Sequence, residues 1–257
     1  MNKNYHTHTK RCKHAKGEDE EYVLCAIEAG FKVLGFSDHA PFHFPCGHVS
    51  HFKMLPEEAP EYAKSVMLLR KKYAGKIDIH LGLEAEYYPE IFDESITFWR
   101  SIGVEYLILG QHYVPSEWLP ERVSSTVAHQ NEGLKAYTDV CCAAMKTGKF
   151  SYIAHPDILK YCGDDAAFYE SEVRRLVRCA VETDTPMEIN LLGLRTGRHY
   201  PSERFWQIAK DYSPKVIFGV DAHSPDTFLD SSQYKKCELF AKKFGLNIID
   251  SLKFKPI

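Results

Sequence analysis

Asn4-Tyr5-His6-Thr7-His8-Thr9 is the stretch on which the reading of the fold turns. Asn4–His8 is a short run of β character that ends on His-x-His. An open dinucleotide-binding sheet would carry G-x-G-x-x-G at the end of its first strand, and none is present. Beyond it, β-rich apolar runs recur at Lys32–Ser37, Ile77–Tyr87, Val104–Gly110, Tyr152–Ala154, Met187–Leu191 and Val216–Val220. Between them lie segments of helical periodicity: Glu18–Ala29, Glu57–Tyr73, Glu90–Ser101, Glu132–Thr147, Phe168–Thr183, Ser202–Lys210 and Ser231–Phe244. Seven strand–helix units without a linker predict an α/β fold with a parallel sheet closed as a (β/α)7 TIM-like barrel. One domain is expected to occupy residues 1–257.

The composition narrows the functional classes. Of 257 residues, 44% are hydrophobic and 26% charged, an ordinary globular balance. Thirty-two basic against 35 acidic side chains give a net charge of −3, which offers no tract for nucleic acid and no affinity for an anionic membrane. The longest apolar runs, such as Tyr106-Leu107-Ile108-Leu109, are far too short to span a bilayer, and Met1-Asn2-Lys3-Asn4 has no apolar signal core. A cytoplasmic protein is expected. The eight cysteines contain no C-x-x-C pair and read as reduced thiols, with Cys25 and Cys179 in the core.

The 13 histidines are the unusual feature. His6 and His8 end the first strand, and Asp38-His39 the second. Glu84 and Glu86 lie late in the third. His112 and His155 follow the fourth and fifth, Asn190 closes the sixth, and Asp221-Ala222-His223 ends the seventh. Every strand thus delivers a polar side chain at its C-terminal end, where a parallel barrel builds its active site. Residues i and i+2 of a strand share a face, so His6/His8 and Asp221/His223 can each aim two ligands into one space. Histidines 6, 8, 14, 39, 112, 155 and 223 with carboxylates 84 and 221 exceed what one metal can use. Two or three divalent ions, with a carboxylate bridging a pair, would account for them. His80 shares a strand face with Glu84 but lies below the rim and reads as a buried structural histidine. His48, His51, His129 and His199 acquire no role.

In order and spacing, His6-Thr7-His8-Thr9, Ser37-Asp38-His39, Gly82-Leu83-Glu84, Gly110-Gln111-His112, His155-Pro156-Asp157 and Asp221-Ala222-His223 resemble the PHP (polymerase and histidinol phosphatase) family of metal-dependent phosphoesterases. The resemblance covers nearly the whole chain. Within the family it is most similar to the bacterial histidinol-phosphate phosphatases, through Asp38-His39-Ala40-Pro41-Phe42 and Glu188-Ile189-Asn190 running into Gly193-Leu194-Arg195. The resemblance implies a distorted (β/α)7 TIM-like barrel, with the active site at the C-terminal ends of the strands, and three metal sites. His6, His8, Glu84 and Asp221 would hold one ion, Glu84 would bridge to a second held by His112 and His155, and His14, His39 and His223 would hold a third. Zinc, manganese and iron all suit such ligands. Many relatives begin Asp-x-His-x-His; Asn4 stands here in the first place.

The implied reaction is hydrolysis of L-histidinol phosphate in histidine biosynthesis, by attack of a metal-bridging hydroxide on phosphorus. Arg195 is expected to clamp a phosphate oxygen and Lys160 to add a second positive charge. Glu117, with His43 beside it, is expected to meet the substrate ammonium group. Asp38 either orients a metal ligand or exchanges a proton with the leaving group. The competing functions are a phosphodiesterase or nuclease, a barrel amidohydrolase, and a non-catalytic metal-binding module.

Overall fold

The computed structural model describes residues 1–120, 122–124, 127, 128 and 130–257, so His129 lies outside the described residues. Eight parallel strands form one curled sheet, each paired with its neighbours in the sequence: β1 (Lys3–Asn4), β2 (Val33–His39), β3 (Asp78–Ala85), β4 (Tyr106–Leu109), β5 (Phe150–Ile153), β6 (Met187–Asn190), β7 (Lys215–Gly219) and β8 (Asn247–Ile248). Among the described residues eight α-helices follow the strands or pack outside them: α1 (Asp19–Glu28), α2 (Ala59–Lys72), α3 (Phe92–Ser101), α4 (Asn131–Lys146), α5 (Ala166–Glu182), α6 (Leu191–Thr196), α7 (Glu203–Ala209) and α8 (Ser231–Phe244). Their formation is local in origin. In α4, Leu134, Tyr137, Thr138, Cys141, Cys142 and Met145 repeat at helical spacing and form its buried face. At the start of α1, the Glu21 carboxylate accepts from the Glu18 backbone N–H at 2.6 Å and caps the helix.

The expected barrel is present, distorted at its seam. At the upper end the segment just after β1 meets the segment just after β7 through a parallel bridge from Thr7 to Ala222, with His8 N–H donating to Ala222 O at 2.9 Å. At the lower end β7 pairs instead with β8, a two-residue strand the sequence reading did not contain. Asn4 is stitched into the seam. It is buried; its Oδ1 accepts from Val220 N–H at 2.8 Å, and its Nδ2 donates to His6 O at 3.0 Å and Thr7 Oγ1 at 2.8 Å. A short side chain with both donor and acceptor is what a gap in a ladder requires, so asparagine here holds the barrel closed.

The barrel interior beneath the upper rim is filled by Tyr5, Tyr106, Ile108, Tyr152 and Ile217, with Phe254 stacked on Tyr106 at 4.6 Å. The Tyr106 ring lies across β2 and β3, where a Cβ on Gly35 or Gly82 would collide with it. Its hydroxyl donates to Tyr5 O at 2.9 Å. His80 is half-buried rather than buried, its ring edge-on to Phe254 at the lower end. All eight cysteines are free; Cys179 is in the core, whereas Cys25 is only partly covered. Among the described residues no helix is long and apolar enough to cross a membrane.

Candidate metal centre

The upper rim collects the expected ligands. His6 and His8 alternate with Thr7 and point to one side; His39 ends β2, and Glu84 is the penultimate residue of β3. His112, His155, Asp221 and His223 lie just beyond β4, β5 and β7. His14 arrives from the turn after the first strand, its Nδ1 2.7 Å from Cys12 O. His155 (φ 28°) and Asp221 (φ 50°) adopt left-handed backbone that non-glycine residues rarely take. Strain of this kind concentrates where a side chain must be aimed.

Glu84 is at the centre, and its two oxygens look in different directions. Oε1 is 2.8 Å from His155 Nε2 and 3.8 Å from His112 Nε2. Oε2 is 3.0 Å from His39 Nδ1, 3.4 Å from His8 Nε2 and 3.6 Å from His6 Nε2. Asp221 Oδ1 completes the second group, 3.2 Å from His8 Nε2 and 3.5 Å from His6 Nε2. To one side, His14 Nε2 and His223 Nε2 face each other at 2.9 Å, with the His8 ring stacked 4.1 Å from that of His223. Gly110 makes the carboxylate's place, because a Cβ there would fall within the Glu84 side chain.

These donors fit divalent metal ions. His6 Nε2, His8 Nε2, His39 Nδ1, Glu84 Oε2 and Asp221 Oδ1 are all buried without a hydrogen-bond partner, and all converge. Buried polar atoms left this way are costly unless something pairs with them. The electrostatics agree. Burial alone would depress His6, yet Glu188, Asp221 and Glu84 hold it up at about 10. Burial would raise the carboxyls of Glu84 and Asp221, yet the surrounding imidazoles hold both well below the usual range. That side of the site demands positive charge. At the other corner, burial and repulsion from His223 push His14 down to about 4, and burial with repulsion from His8 lowers His39. Neutral imidazoles with free lone pairs are what a metal takes.

A layer of carboxylates stands behind the imidazoles, and the sequence reading missed most of it. Glu188 is fully buried; its Oε1 is 2.8 Å from His6 Nδ1, and its Oε2 accepts from His155 N–H at 3.0 Å and Asn190 Nδ2 at 2.9 Å. Glu188 and Asn190 share one face of β6, a signal available from strand alternation. Asp38 lies behind His8, its Oδ1 3.3 Å from His8 Nδ1, and accepts from the Thr9 hydroxyl. Glu86 lies behind His112, 3.3 Å from its Nδ1. Lys53, a residue not singled out in the sequence, is buried against Glu86 and Glu117.

The expected substrate contacts fare differently. A cavity of about 400 Å³ opens over the ligands, walled by Phe52, Ile158, Leu192, Arg198 and Tyr200. Arg195 is not among its lining residues: a single turn of α6 directs its Nη1 to Thr227 Oγ1 at 2.8 Å. Gly197 (φ 67°) ends that helix, and beyond it Arg198 lines the cavity and donates to the Tyr200 hydroxyl at 2.6 Å. Lys160 is exposed in a two-residue pairing with Val127, outside the cavity lining. His43 is exposed with its ring against Phe98. Glu117 is buried and already paired, 2.8 Å from Lys53 Nζ and 3.3 Å from His48 Nε2. Despite burial, Lys53 holds its carboxyl below the usual range. An internal ammonium occupies the place expected for the substrate's.

Comparison with known proteins agrees with this arrangement. The chain is 29% identical over 229 residues to a Deinococcus radiodurans protein named as a probable histidinol-phosphatase, a match covering 86% of this chain and 85% of that one. It is 28% identical over 246 residues to the histidinol-phosphatase of Bacillus subtilis, covering 85% and 92%. Its fold superposes on that of the Lactococcus lactis histidinol phosphate phosphatase, solved with zinc, L-histidinol and phosphate, with a TM-score of 0.71 at 19% identity over 98% and 97% of the two chains. The PHP domain model matches residues 4–192, and the chain belongs to the PHP domain family.

Proposed function

We propose that this chain is a divalent-metal-dependent phosphomonoesterase that hydrolyses L-histidinol phosphate to L-histidinol and phosphate. The observation that carries the reading is Glu84, one buried carboxylate whose oxygens face two separate groups of imidazoles beneath an open cavity. The names of the Deinococcus and Bacillus relatives, and the ligands of the Lactococcus structure, support the substrate.

Two to three ions (zinc, manganese or iron) would be held by His6, His8, Glu84 and Asp221, by Glu84 with His112 and His155, and by His14, His39 and His223. When bound, such ions supply Lewis acidity to a phosphoryl group and to water. This chain's own residues do the rest. The bridging position of Glu84 fixes the spacing of the two groups it joins. Asp38, held by Thr9 and directed at His8 Nδ1, orients that ligand rather than passing a proton to a leaving group. Arg198, at the cavity wall and steadied by Tyr200, is the guanidinium placed to meet a phosphate oxygen. Phe52, Ile158 and Leu192 give the organic half of the substrate an apolar surface.

The test is phosphate release from L-histidinol phosphate against sugar phosphates, nucleotides and a phosphodiester, with and without chelator. Preference for histidinol phosphate that disappears on chelation is expected. Comparable turnover across the monoesters would refute the substrate and leave the phosphatase; activity that survives metal removal would refute both. Metal analysis of Glu84→Gln should show fewer bound ions than the parent, and a full complement would refute the bridge.

A further inference from the structure

We infer that Lys53 is a positioning residue for the metal ligand His112, acting through Glu86. The inference rests on the reading of His112 as a ligand. Lys53 lies in the segment between β2 and α2, and its side chain is 1% exposed. A lysine ammonium taken out of water is costly unless paired. Here it has two carboxylates and an aromatic face: Glu86 Oε1 at 2.7 Å, Glu117 Oε2 at 2.8 Å, and the Phe52 ring centroid at 3.5 Å.

The decisive detail is which oxygen is shared. Glu86 Oε1, the atom that meets Lys53, is also the atom 3.3 Å from His112 Nδ1. Glu86 therefore cannot swing away from His112 without leaving Lys53 behind. With Nδ1 facing this carboxylate, His112 presents Nε2 towards Glu84. Such an outer partner fixes the tautomer and ring orientation of a ligand histidine. The same ammonium anchors Phe52, whose ring lies 5.5 Å from that of His112 and walls the cavity. Lys53 thus holds a ligand and a wall together from behind. Glu117 is the second carboxylate on Lys53, and among the described residues no hydrogen bond or ion pair joins it to His112.

The two ion pairs of Lys53 are of similar length, so a merely structural role would make both matter alike; a positioning role would not. The experiment is a chelator titration of the metal-loaded protein, counting ions retained, on Lys53→Met, Glu86→Gln, Glu117→Gln and, as reference, His112→Ala, each checked by thermal melting. Lys53→Met and Glu86→Gln are expected to weaken one ion by about 10–100-fold, as loss of an outer partner does, and to leave the others in place. Glu117→Gln is expected to retain metal like the parent. A folded Lys53→Met with parental retention, or a Glu117→Gln as impaired as Lys53→Met, would overturn the inference. Should Lys53→Met not fold, Glu86→Gln, which keeps the side-chain volume, decides on the same criterion. A parent that holds no divalent ion, or a His112→Ala that holds as many as the parent, would refute the ligand reading itself; a His112→Ala that loses an ion beside an unaffected Lys53→Met refutes the inference alone.

Discussion

Glu188 Oε1 lies 2.8 Å from Nδ1 of His6, on the side of the ring away from Glu84 and Asp221. One carboxylate thereby sets which nitrogen of His6 faces the centre, and its other oxygen accepts from the His155 backbone N–H. Two candidate ligands, from strands on opposite sides of the barrel interior, share one brace.

Glu188→Gln should therefore weaken metal binding and phosphatase activity together, by roughly 10–100-fold. The amide keeps the shape but brings an N–H₂ against two donors. Metal retention under chelator and kcat at saturating metal are the measurements. If excess metal fully restores activity, the role lies in affinity; unchanged retention would remove Glu188 from the site.

Gly219 is the space in which Glu188 sits, since a Cβ at residue 219 would fall inside the Glu188 carboxylate. Gly219→Ala should cost about 1–3 kcal/mol by overpacking, and it should reproduce the metal defect of Glu188→Gln although residue 219 bears no ligand. A melting curve beside a metal count would separate the two effects. A Gly219→Ala protein with parental metal content and stability would show that β6 and β7 yield more readily than this packing implies.

Asn4→Ala removes the acceptor for the buried Val220 N–H and the donor to His6 O and Thr7 Oγ1. Leaving such a buried donor unpaired costs about 1–3 kcal/mol, which for a chain of this size is a fall in Tm of roughly 2–6 °C. Thermal melting in chelator is the check, because bound metal would mask the loss by stabilising the folded state.

At the lower end of the barrel, Glu105 meets Arg70, His80 and the Leu81 N–H; burial opposes ionisation, yet these partners lower its pKa to about 2. A depressed carboxyl contributes stability that is fully present above its unfolded value, near 4.5, and is lost as pH falls through the folded value. Glu105→Gln should melt below the parent at pH 7, and the gap should narrow between pH 4.5 and pH 2. A gap that stays constant over that window would refute the linkage. The group lies far from the ligands, so chelation should not alter the result.

The candidate ligands are legible in the sequence because two periodicities coincide in them. His6/His8 and Asp221/His223 read as pairs on one strand face, and each of the others falls where a β run gives way to the next helix. Glu188 obeys the same alternation with Asn190 but lies one pleat repeat below the end of β6, as His80 lies further down β3. Only the closed barrel distinguishes them, by setting His6 against one and Phe254 against the other. Its position after β6 is what points Arg195 at the substrate in the sequence. The six-residue α6 carries no helical period to read, and its single turn gives the cavity to Arg198 instead. Lys53 had no signal at all: a lysine in a loop is ordinarily solvated, and its two carboxylates come from different strands' ends. The pairing of Glu117 is hidden for the same reason, its partner Lys53 being 64 residues away in the sequence.

The seam between the first and seventh strands has a bearing on how the protein is made. Val220 N–H reaches Asn4 across 216 residues of sequence, and the donors on either side of that seam are His6 and His8 on one flank, Asp221 and His223 on the other. A nascent chain that has emerged as far as β6 carries most of the imidazoles yet lacks Asp221 and His223, which flank His8. Assembly of the centre is therefore a late event in biosynthesis, coincident with ring closure, and an ion captured earlier would meet an incomplete cage from which it can still escape or be exchanged.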